Sequence, residues 1–409
     1  MTAAATPAAS PPHAPHAVGL YLAVVQFFLA IGWVVYAAYL PQLAKAAGLP
    51  PKAVPWLLMA DQLVFIATDL AVGLASDRAA RVLGRIGHWV LLATLLSSAS
   101  FLALPWVAGL GSPALLVGVT LVWAVTSSAL RAPPLTLLGR YVAKPQQASM
   151  VALTSLGLGV AGAIAPYVAL QLKGVDPVWP FLLSAACLAA VTLGMVAAER
   201  ALAAQGALPD MPAAQPVGGP GVLPTVAFLS AAALGAAAFQ WHGFVASAPL
   251  ALRFAPAADL PWLLPAFWVG FNLALWPAGW LAKREGPWRA MALGAVMAAG
   301  GNAAAAFATE LPLLLVAQGL AGAGWALLLC SAFSGALALG QGGHAGFFSG
   351  ALNAVLAAAA LARIAVVSQV APPGPMVLNL AWLAAAGFAL CAMLSRWQAG
   401  QVAPGRAQG

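Results

Sequence analysis

The fold of this chain follows from one stretch, Asp69-Leu-Ala-Val-Gly73-Leu-Ala-Ser-Asp77-Arg78-Ala-Ala-Arg81-Val-Leu-Gly84-Arg85. Apolar segments flank it, and hardly any loop separates them. Such a charge cluster predicts a tight turn at the membrane face where Arg and Lys accumulate, which is the cytoplasmic face. The Asp77 carboxylate can pair with the nearby guanidinium groups, or it can cap the N-terminus of a neighbouring helix. The simpler alternative is that the arginines are only topology signals, whose charge Asp77 balances.

The composition places the chain in a membrane. Its 409 residues are 63% hydrophobic and 6% charged, with a mean hydropathy of +0.93, which excludes an ordinary soluble domain. Helices suit the bilayer because each satisfies its own backbone polar groups, so we expect an all-α membrane protein. Twelve segments are candidate spans: 18–40, 54–75, 86–108, 113–135, 148–170, 178–198, 223–249, 260–281, 288–308, 311–339, 345–370 and 376–394.

The basic residues indicate orientation. The formal charge is +8, but the residues that carry it are spread along the turns and form no nucleic-acid patch. If both termini are cytoplasmic, most of these residues lie inside. They are Arg78, Arg81, Arg85, Arg140, Lys144, Arg200, Lys283, Arg284, Arg289, Arg396 and Arg406. We therefore expect a multi-pass protein with cytoplasmic termini, and the Ala-rich composition suggests a bacterial inner membrane.

An internal repeat divides the chain. The run Pro55-Trp-Leu-Leu recurs as Pro261-Trp-Leu-Leu, and the same offset of 206 residues carries Gly73 to Gly279 and Arg78 to Arg284. The spans thus form two pseudo-symmetric six-helix bundles, at 18–198 and 223–397. A Pro- and Gly-rich linker at 199–222 joins them. The remaining segments are a disordered cytoplasmic tail at 1–17 and a second tail at 398–409.

The run from Gly73 to Arg81 resembles the loop signature of the major facilitator superfamily, G-x-L-A-D-R-x-G-R, with Ala75 for Leu and Ala80 for the second Gly. The longer run through Arg85 is also similar to the glycoside-pentoside-hexuronide cation symporter branch. However, Phe65 stands where that branch has an acid. The resemblance implies two bundles that rock about a central substrate site. It makes the stretch a cytoplasmic latch, with Gly279, Lys283 and Arg284 as the second-half counterpart. Lys283 replaces the Asp there.

Small residues recur every four positions on the four helices that meet between the halves in this superfamily. Such faces let helix backbones approach closely. The stripes are Ala67, Ala71, Ala75 and Ala79; Gly157, Ala161, Ala165 and Ala169; Gly270, Ala274, Ala278 and Ala282; and Gly346, Gly350, Ala354, Ala358 and Ala362. Chance recurrence in an Ala-rich chain is the alternative.

Five ionisable residues fall inside the spans, where each costs at least about 2.5 kcal/mol on insertion scales and is therefore a candidate for gating or coupling. They are Asp61, Asp69, Arg131, His242 and Arg363. Their depths predict that Asp61 pairs with Arg363 when the outer side closes. Asp69 and Arg131 lie at similar depths within the first bundle and can pair there, either as a static ion pair or as part of transport.

His242 has no charged neighbour in the sequence and is the best single candidate for proton handling or substrate contact. A neutral histidine bonded to a neighbouring helix is the alternative. Amides and aromatic rings suit a polar organic solute, although amides also serve as interhelical hydrogen bonds. The candidate cavity residues are Gln26, Trp33, Tyr36, Asn272, Gln318 and Asn353.

These features predict a secondary transporter that moves a small solute by alternating access. We expect proton coupling, with sodium coupling or an uncoupled facilitator as the alternatives. We expect a monomer in the lipid bilayer, without enzymatic activity, catalytic residues, metal site, cofactor or nucleic-acid partner. The alternative is a membrane-embedded binding or assembly protein that keeps the fold but transports nothing.

Overall fold

Helices make up every regular element of the computed structural model within the residues that it describes, which are 15–83, 87–204, 221–341, 343–367 and 374–402. Twelve long helices can be followed through these ranges. They are α1 (His16–Ala46), α2 (Ala53–Leu83), α3 (Gly87–Gly109), α4 (Pro113–Tyr141), α5 (Lys144–Gln171), α6 (Val178–Ala203), α7 (Val222–Ala251), α8 (Ala257–Glu285), α9 (Pro287–Ala306), α10 (Leu311–Leu339), α11 (Ala345–Val367) and α12 (Pro375–Val402).

Eleven of these helices, counted over the described ranges, have the length and hydropathy of a membrane span. The remaining helix, α9, is 20 residues long, which also matches the hydrocarbon thickness. Arg289, Asn302 and several glycines make it less apolar than the others. The predicted all-α membrane fold is confirmed. We call the face where α1 begins and α12 ends the terminal face, and the other the opposite face.

Two helices are interrupted near their functional side chains. In α4, a 3-10 turn at Ser128–Leu130 joins the pieces Pro113–Ser127 and Pro133–Tyr141. Pro133 and Pro134 have no backbone N–H to donate, so the regular hydrogen-bond ladder cannot pass through them. In α7, one π-helical turn occupies His242–Ala246. Such turns change the direction of the side chains around them.

The two halves meet mainly at two helix pairs, α2 with α11 and α5 with α8. The backbones of α2 and α11 touch directly: a Cβ added to Gly73 would overlap the carbonyl oxygen of Gly346, and one on Gly350 would overlap that of Asp69. By contrast, α5 and α8 interlock through side chains. Trp268 of α8 fills the space beside Gly162.

The predicted small-residue faces lie only partly at the contact between the halves. Gly346 and Gly350 of α11 lie there, whereas Ala358 and Ala362 of the same stripe are exposed. Ala67, Ala71 and Ala75 of α2 are exposed, and Gly73 on another face makes the contact with α11. Gly157 packs against α1, and Gly270 against α10. Alanine is so frequent in this chain that its spacing does not identify a face. The close approach occurs where only a glycine fits.

Candidate functional site: a latch and a central cavity

Asp77 joins the two halves at the terminal face. Its Oδ1 accepts a hydrogen bond from the backbone N–H of Gly346 at 2.7 Å, and its Oδ2 accepts one from Phe347 at 2.8 Å. These amides belong to the first turn of α11, whose N–H groups have no partner within the helix. The buried carboxylate also lies at the positive end of the helix dipole. The structure thus contains the helix cap that the sequence allowed for Asp77.

Gly73 makes this cap geometrically accessible, because it lets α11 approach α2 closely enough for the two bonds to form. Arg78 is exposed. The side chain of Arg81 and the whole of Arg85 lie outside what the structure describes. So do residues 1–14 and 403–409 of the predicted tails and residues 205–220 of the predicted linker. No role is assigned to them.

The second-half counterpart is built differently. Gly279 faces Ala148 and Ala152 of α5, and an added Cβ would lie 3.1 Å from the Ala152 Cβ. Lys283 and Arg284 are exposed, and the Arg284 Nε lies 3.4 Å from an oxygen of Glu285 on the same helix. The electrostatic difference expected from Lys283 is therefore accompanied by a difference in packing.

A cavity of about 230 Å³ lies between the halves. Its walls come from α1, α4 and α5 on one side and from α10 and α11 on the other. They are mostly apolar, with a few amide and hydroxyl groups and one guanidinium. The lining residues are Gln26, Leu29, Ala30, Trp33, Arg131, Leu135, Val151, Thr154, Ser155, Leu158, Leu329, Phe333, Asn353 and Leu356.

Three of the predicted cavity residues, Gln26, Trp33 and Asn353, line this cavity, and three do not. Tyr36 is buried behind Trp33. Asn272 donates to the Trp268 carbonyl at 2.8 Å beside the α5–α8 contact. Gln318 lies within the second half. The hydroxyl residues Thr154 and Ser155 were missed, because mid-helix hydroxyls usually bond to their own helix, as these two also do.

Gln26 and the break in α4 form one wall of the cavity. The Leu130 carbonyl has lost its regular helical donor, because the residue four positions later is Pro134. The Gln26 Nε2 atom donates to that carbonyl at 2.9 Å instead. An amide of α1 therefore replaces the missing backbone donor beside Arg131.

Arg131 pairs with Asp69, as the depths predicted. Its Nη2 lies 3.1 Å from the Asp69 Oδ2, and its guanidinium sits 4.5 Å from the centre of the Phe65 ring. The two side chains differ in exposure, 20% for Arg131 and 0% for Asp69. Neither Asp69 oxygen has a well-aligned hydrogen bond, so the attraction is mainly electrostatic. Arg131 reaches the cavity and its partner does not.

Asp61 and Arg363 do not contact each other in this structure, so the predicted gate pair is not formed. Tyr36 donates to the Asp61 Oδ2 at 2.7 Å, within the first half. The Nε of Arg363 donates to the Gln240 Oε1 at 3.0 Å, and the guanidinium stacks 4.7 Å from the Phe244 ring centre, within the second half. Depth alone could not show that each side chain is held by its own bundle.

His242 is fully buried between helices and is not in the wall of the central cavity. Its Nδ1 lies 2.9 Å from the Asn302 Oδ1, and its Nε2 lies 2.8 Å from the side-chain amide of Gln318. Asn302 uses its own NH2 group to bond to Asn379, so Nδ1 must be the donor on that side. This arrangement matches the alternative of a histidine that is hydrogen-bonded to neighbouring helices. In this structure His242 therefore does not reach the cavity in which a solute would bind.

A two-part helical body around a central cavity, closed by a helix cap at one face, has the architecture of a membrane transporter. The model of the Major Facilitator Superfamily matches residues 22–363, and the chain belongs to this family. The chain is also similar to the crystal structure of FucP, a Major Facilitator Superfamily transporter in the outward conformation. The TM-score is 0.64 at 14% identity, over 92% of this chain and 98% of that one. This likeness concerns the fold. No curated protein matches the chain.

Proposed function

We propose that this membrane transporter moves a small solute through the central cavity by alternating access, coupled to protons. The main support for this proposal is that both halves line one cavity of about 230 Å³. Separation of the halves at either face would expose this cavity to that side of the membrane. The Asp77 cap is the contact that would have to break at the terminal face.

The terminal face is proposed to be cytoplasmic. The described residues Arg78, Arg140, Lys144, Arg200, Lys283, Arg284, Arg289 and Arg396 belong to helix ends on that side. Only Lys45, Lys52, Lys173 and Arg253 belong to ends at the opposite face, within the described part of the chain. This asymmetry is the pattern of a protein with cytoplasmic termini. The inner membrane of a bacterium and a monomeric state remain parts of the proposal.

The Asp69–Arg131 pair is the proposed coupling element. Arg131 lines the cavity, and its Nη2 lies 3.1 Å from the Asp69 carboxylate. A proton on Asp69 would release Arg131, and a solute that attracts Arg131 would release Asp69. The two events would therefore act on the same contact. Asp61 is a weaker candidate, because Trp33 and Tyr36 separate it from the cavity.

Transport by reconstituted protein tests the proposal. Proteoliposomes with an imposed pH gradient are supplied with a panel of labelled sugars, organic acids, amino acids and amines. The wild type is expected to accumulate one class. Asp69→Asn, which cannot release a proton, is expected to lose gradient-driven accumulation while solute exchange at equal pH continues. Asp259→Asn makes the same change at an exposed site and should behave as the wild type.

Three results are informative in different ways. Accumulation by Asp69→Asn at the wild-type level would refute the coupling role of this pair. Flux that ignores the pH gradient would indicate an uncoupled facilitator. No flux of any solute would favour the binding or assembly protein. The double variant with Asp69→Asn and Arg131→Gln serves as a folding control, since it leaves no unpaired buried charge.

A further inference from the structure

Arg363 is not in the cavity wall but lies on the same helix as two cavity residues, closer to the opposite face. Leu356, a cavity residue, precedes it by seven positions. Seven residues make almost two full turns, so the two side chains leave the helix on nearly the same side, about 10 Å apart along its axis. A solute that approaches the cavity from the opposite face along α11 therefore passes Arg363 first.

The guanidinium of Arg363 is oriented by neutral groups. Gln240 accepts from its Nε at 3.0 Å, and the ring of Phe244 supports its plane. Both neighbours come from α7, where Gln240 precedes the π-helical turn and Phe244 lies within it. The side chain is partly exposed, and no carboxylate in the described ranges lies within ion-pair distance of it. Its two terminal nitrogens thus keep both their charge and their hydrogen-bonding capacity.

The other intramembrane charges are balanced or buried in this structure, so an arriving solute is attracted to them less than to Arg363. Arg131 is balanced by Asp69 at 3.1 Å. Asp61 is only 1% exposed and is bonded to Tyr36. The unbalanced charge that a solute can reach along this path is therefore positive. A planar guanidinium fixed at Nε presents its two terminal nitrogens in the geometry that matches a carboxylate.

We infer that the transported solute is a small organic carboxylate, which Arg363 binds between the opposite face and the central cavity. This inference rests on the proposed transport function and specifies its substrate class. The cavity walls add the second requirement. Trp33, Phe333 and the leucines around them suit an apolar body, so the solute combines one anionic end with a small hydrophobic part.

Matched probes of different charge test this inference on the purified full-length protein. Benzoate, benzamide and benzylammonium share a ring and differ in charge, and acetate, lactate and succinate vary the body. A ligand that binds the folded state raises the unfolding temperature. Benzoate is expected to stabilise the wild type more than the two other ring compounds do. Arg363→Gln should weaken benzoate binding at least about tenfold, as expected for a lost charge-assisted hydrogen bond.

Two further variants separate recognition from folding. Arg363→Lys keeps the positive charge but loses the two parallel N–H donors of the guanidinium, so we expect an intermediate affinity for benzoate. Arg253→Gln is the matched control, because Arg253 also stacks on a ring, that of Phe254, near the opposite face. It bonds to the carbonyls of Ala306 and Ala308 instead. This variant should retain wild-type affinity.

The inference is overturned if Arg363→Gln binds benzoate as well as the wild type does. It is also overturned if benzamide or benzylammonium binds at least as strongly as benzoate, or if no carboxylate in the series stabilises the protein. The proposed transport function fails on a different readout, the absence of flux for every solute class. Transport of neutral or cationic solutes alone would leave that function intact and refute the carboxylate assignment.

Discussion

The two contacts between the halves occupy equivalent positions in the repeat but differ in construction. Gly73 of α2 and its counterpart Gly279 of α8 both face the other half near the terminal face. At Gly73, backbone meets backbone, and Asp77 adds two hydrogen bonds to the start of α11. At Gly279 the helices are less tightly packed, with the Ala152 Cβ at 3.1 Å and the Ala148 carbonyl oxygen at 3.2 Å from an added Cβ. Lys283 is exposed where the first half has its acid.

The difference extends along the helices. The α5–α8 contact continues from Gly279 to the ring pair of Tyr167 and Trp262 near the opposite face, with ring centres 4.7 Å apart. The two helices therefore contact each other continuously along this length. The α2–α11 contact concentrates its polar bonds at one end, where a separation of the halves would break them together. We therefore expect α2–α11 to control opening at the terminal face, whereas α5–α8 maintains the alignment of the halves.

The largest effect is expected for Gly73→Ala. The added Cβ would overlap the Gly346 carbonyl oxygen, which forces α11 away and weakens the Asp77 bonds as well. Overpacking of this kind costs up to about 3 kcal/mol, which corresponds to about a 100-fold higher population of the separated state. A cysteine in place of Ser76, which is buried against Gly346, reports this as faster maleimide labelling once the three native cysteines are replaced.

Gly279→Ala is the matched control in the same reporter background. Its Cβ would lie 3.1 Å from the Ala152 Cβ and 3.2 Å from the Ala148 carbonyl oxygen, which is closer than ordinary contact by only a few tenths of an ångström and far less severe than the overlap at Gly73. We expect at most a few-fold change in labelling rate. Equal effects of the two substitutions would show that the α2–α11 and α5–α8 contacts are mechanically equivalent.

A smaller effect is expected for Asp77→Asn. The amide keeps one acceptor oxygen but loses the second acceptor and the negative charge at the helix start. A charge-assisted hydrogen bond contributes about 2 kcal/mol, so labelling at position 76 should accelerate about 30-fold. Insertion into the membrane should be unchanged. Wild-type labelling and turnover in this variant would reduce the Asp69–Arg85 stretch to a topology signal.

The smallest effect is expected for Lys283→Asp, which gives the second half the acid of the first. Pro145 in the first turn of α5 has no N–H to donate, and the Gln146 N–H already bonds to the Ala143 carbonyl, so the new carboxylate finds no free pair of adjacent amides like that of α11. It gains at most about 0.7 kcal/mol from the helix dipole, and labelling at position 76 should slow no more than about threefold. Slowing as strong as the Asp77→Asn acceleration would mean that α5 can be capped in the same way.

The sequence was sufficient for the fold and for the position of the cap. The repeat, the apolar segments and the order of residues around Asp77 are local or periodic patterns, and such patterns can be recognised directly in the sequence. The Asp69–Arg131 pair was also predictable, because the two residues lie at similar depth within one bundle. Depth along a helix follows directly from residue number.

Direction around a helix axis was harder to predict. Asp61 and Arg363 lie at matching depths, yet Tyr36 and Gln240 hold them within separate halves. The π-helical turn in α7 redirects the side chains near His242, and no sequence signal marked that turn. Gln318 was also misplaced in the cavity. An amide in the sequence indicates a polar side chain, but not the direction in which that side chain leaves its helix.

The prolines of α4 also affect what the cavity accepts. Gln26 compensates for a donor that Pro134 cannot supply, and it does so from the cavity wall. A visiting molecule that drew this amide toward itself would strip the Leu130 oxygen of its donor, at a cost of about 1–3 kcal/mol. A cargo with a hydroxyl or amide N–H of its own could restore that bond. Among guests that attract this amide, the kink would thus favour those that also carry a donor over those that carry only an acceptor.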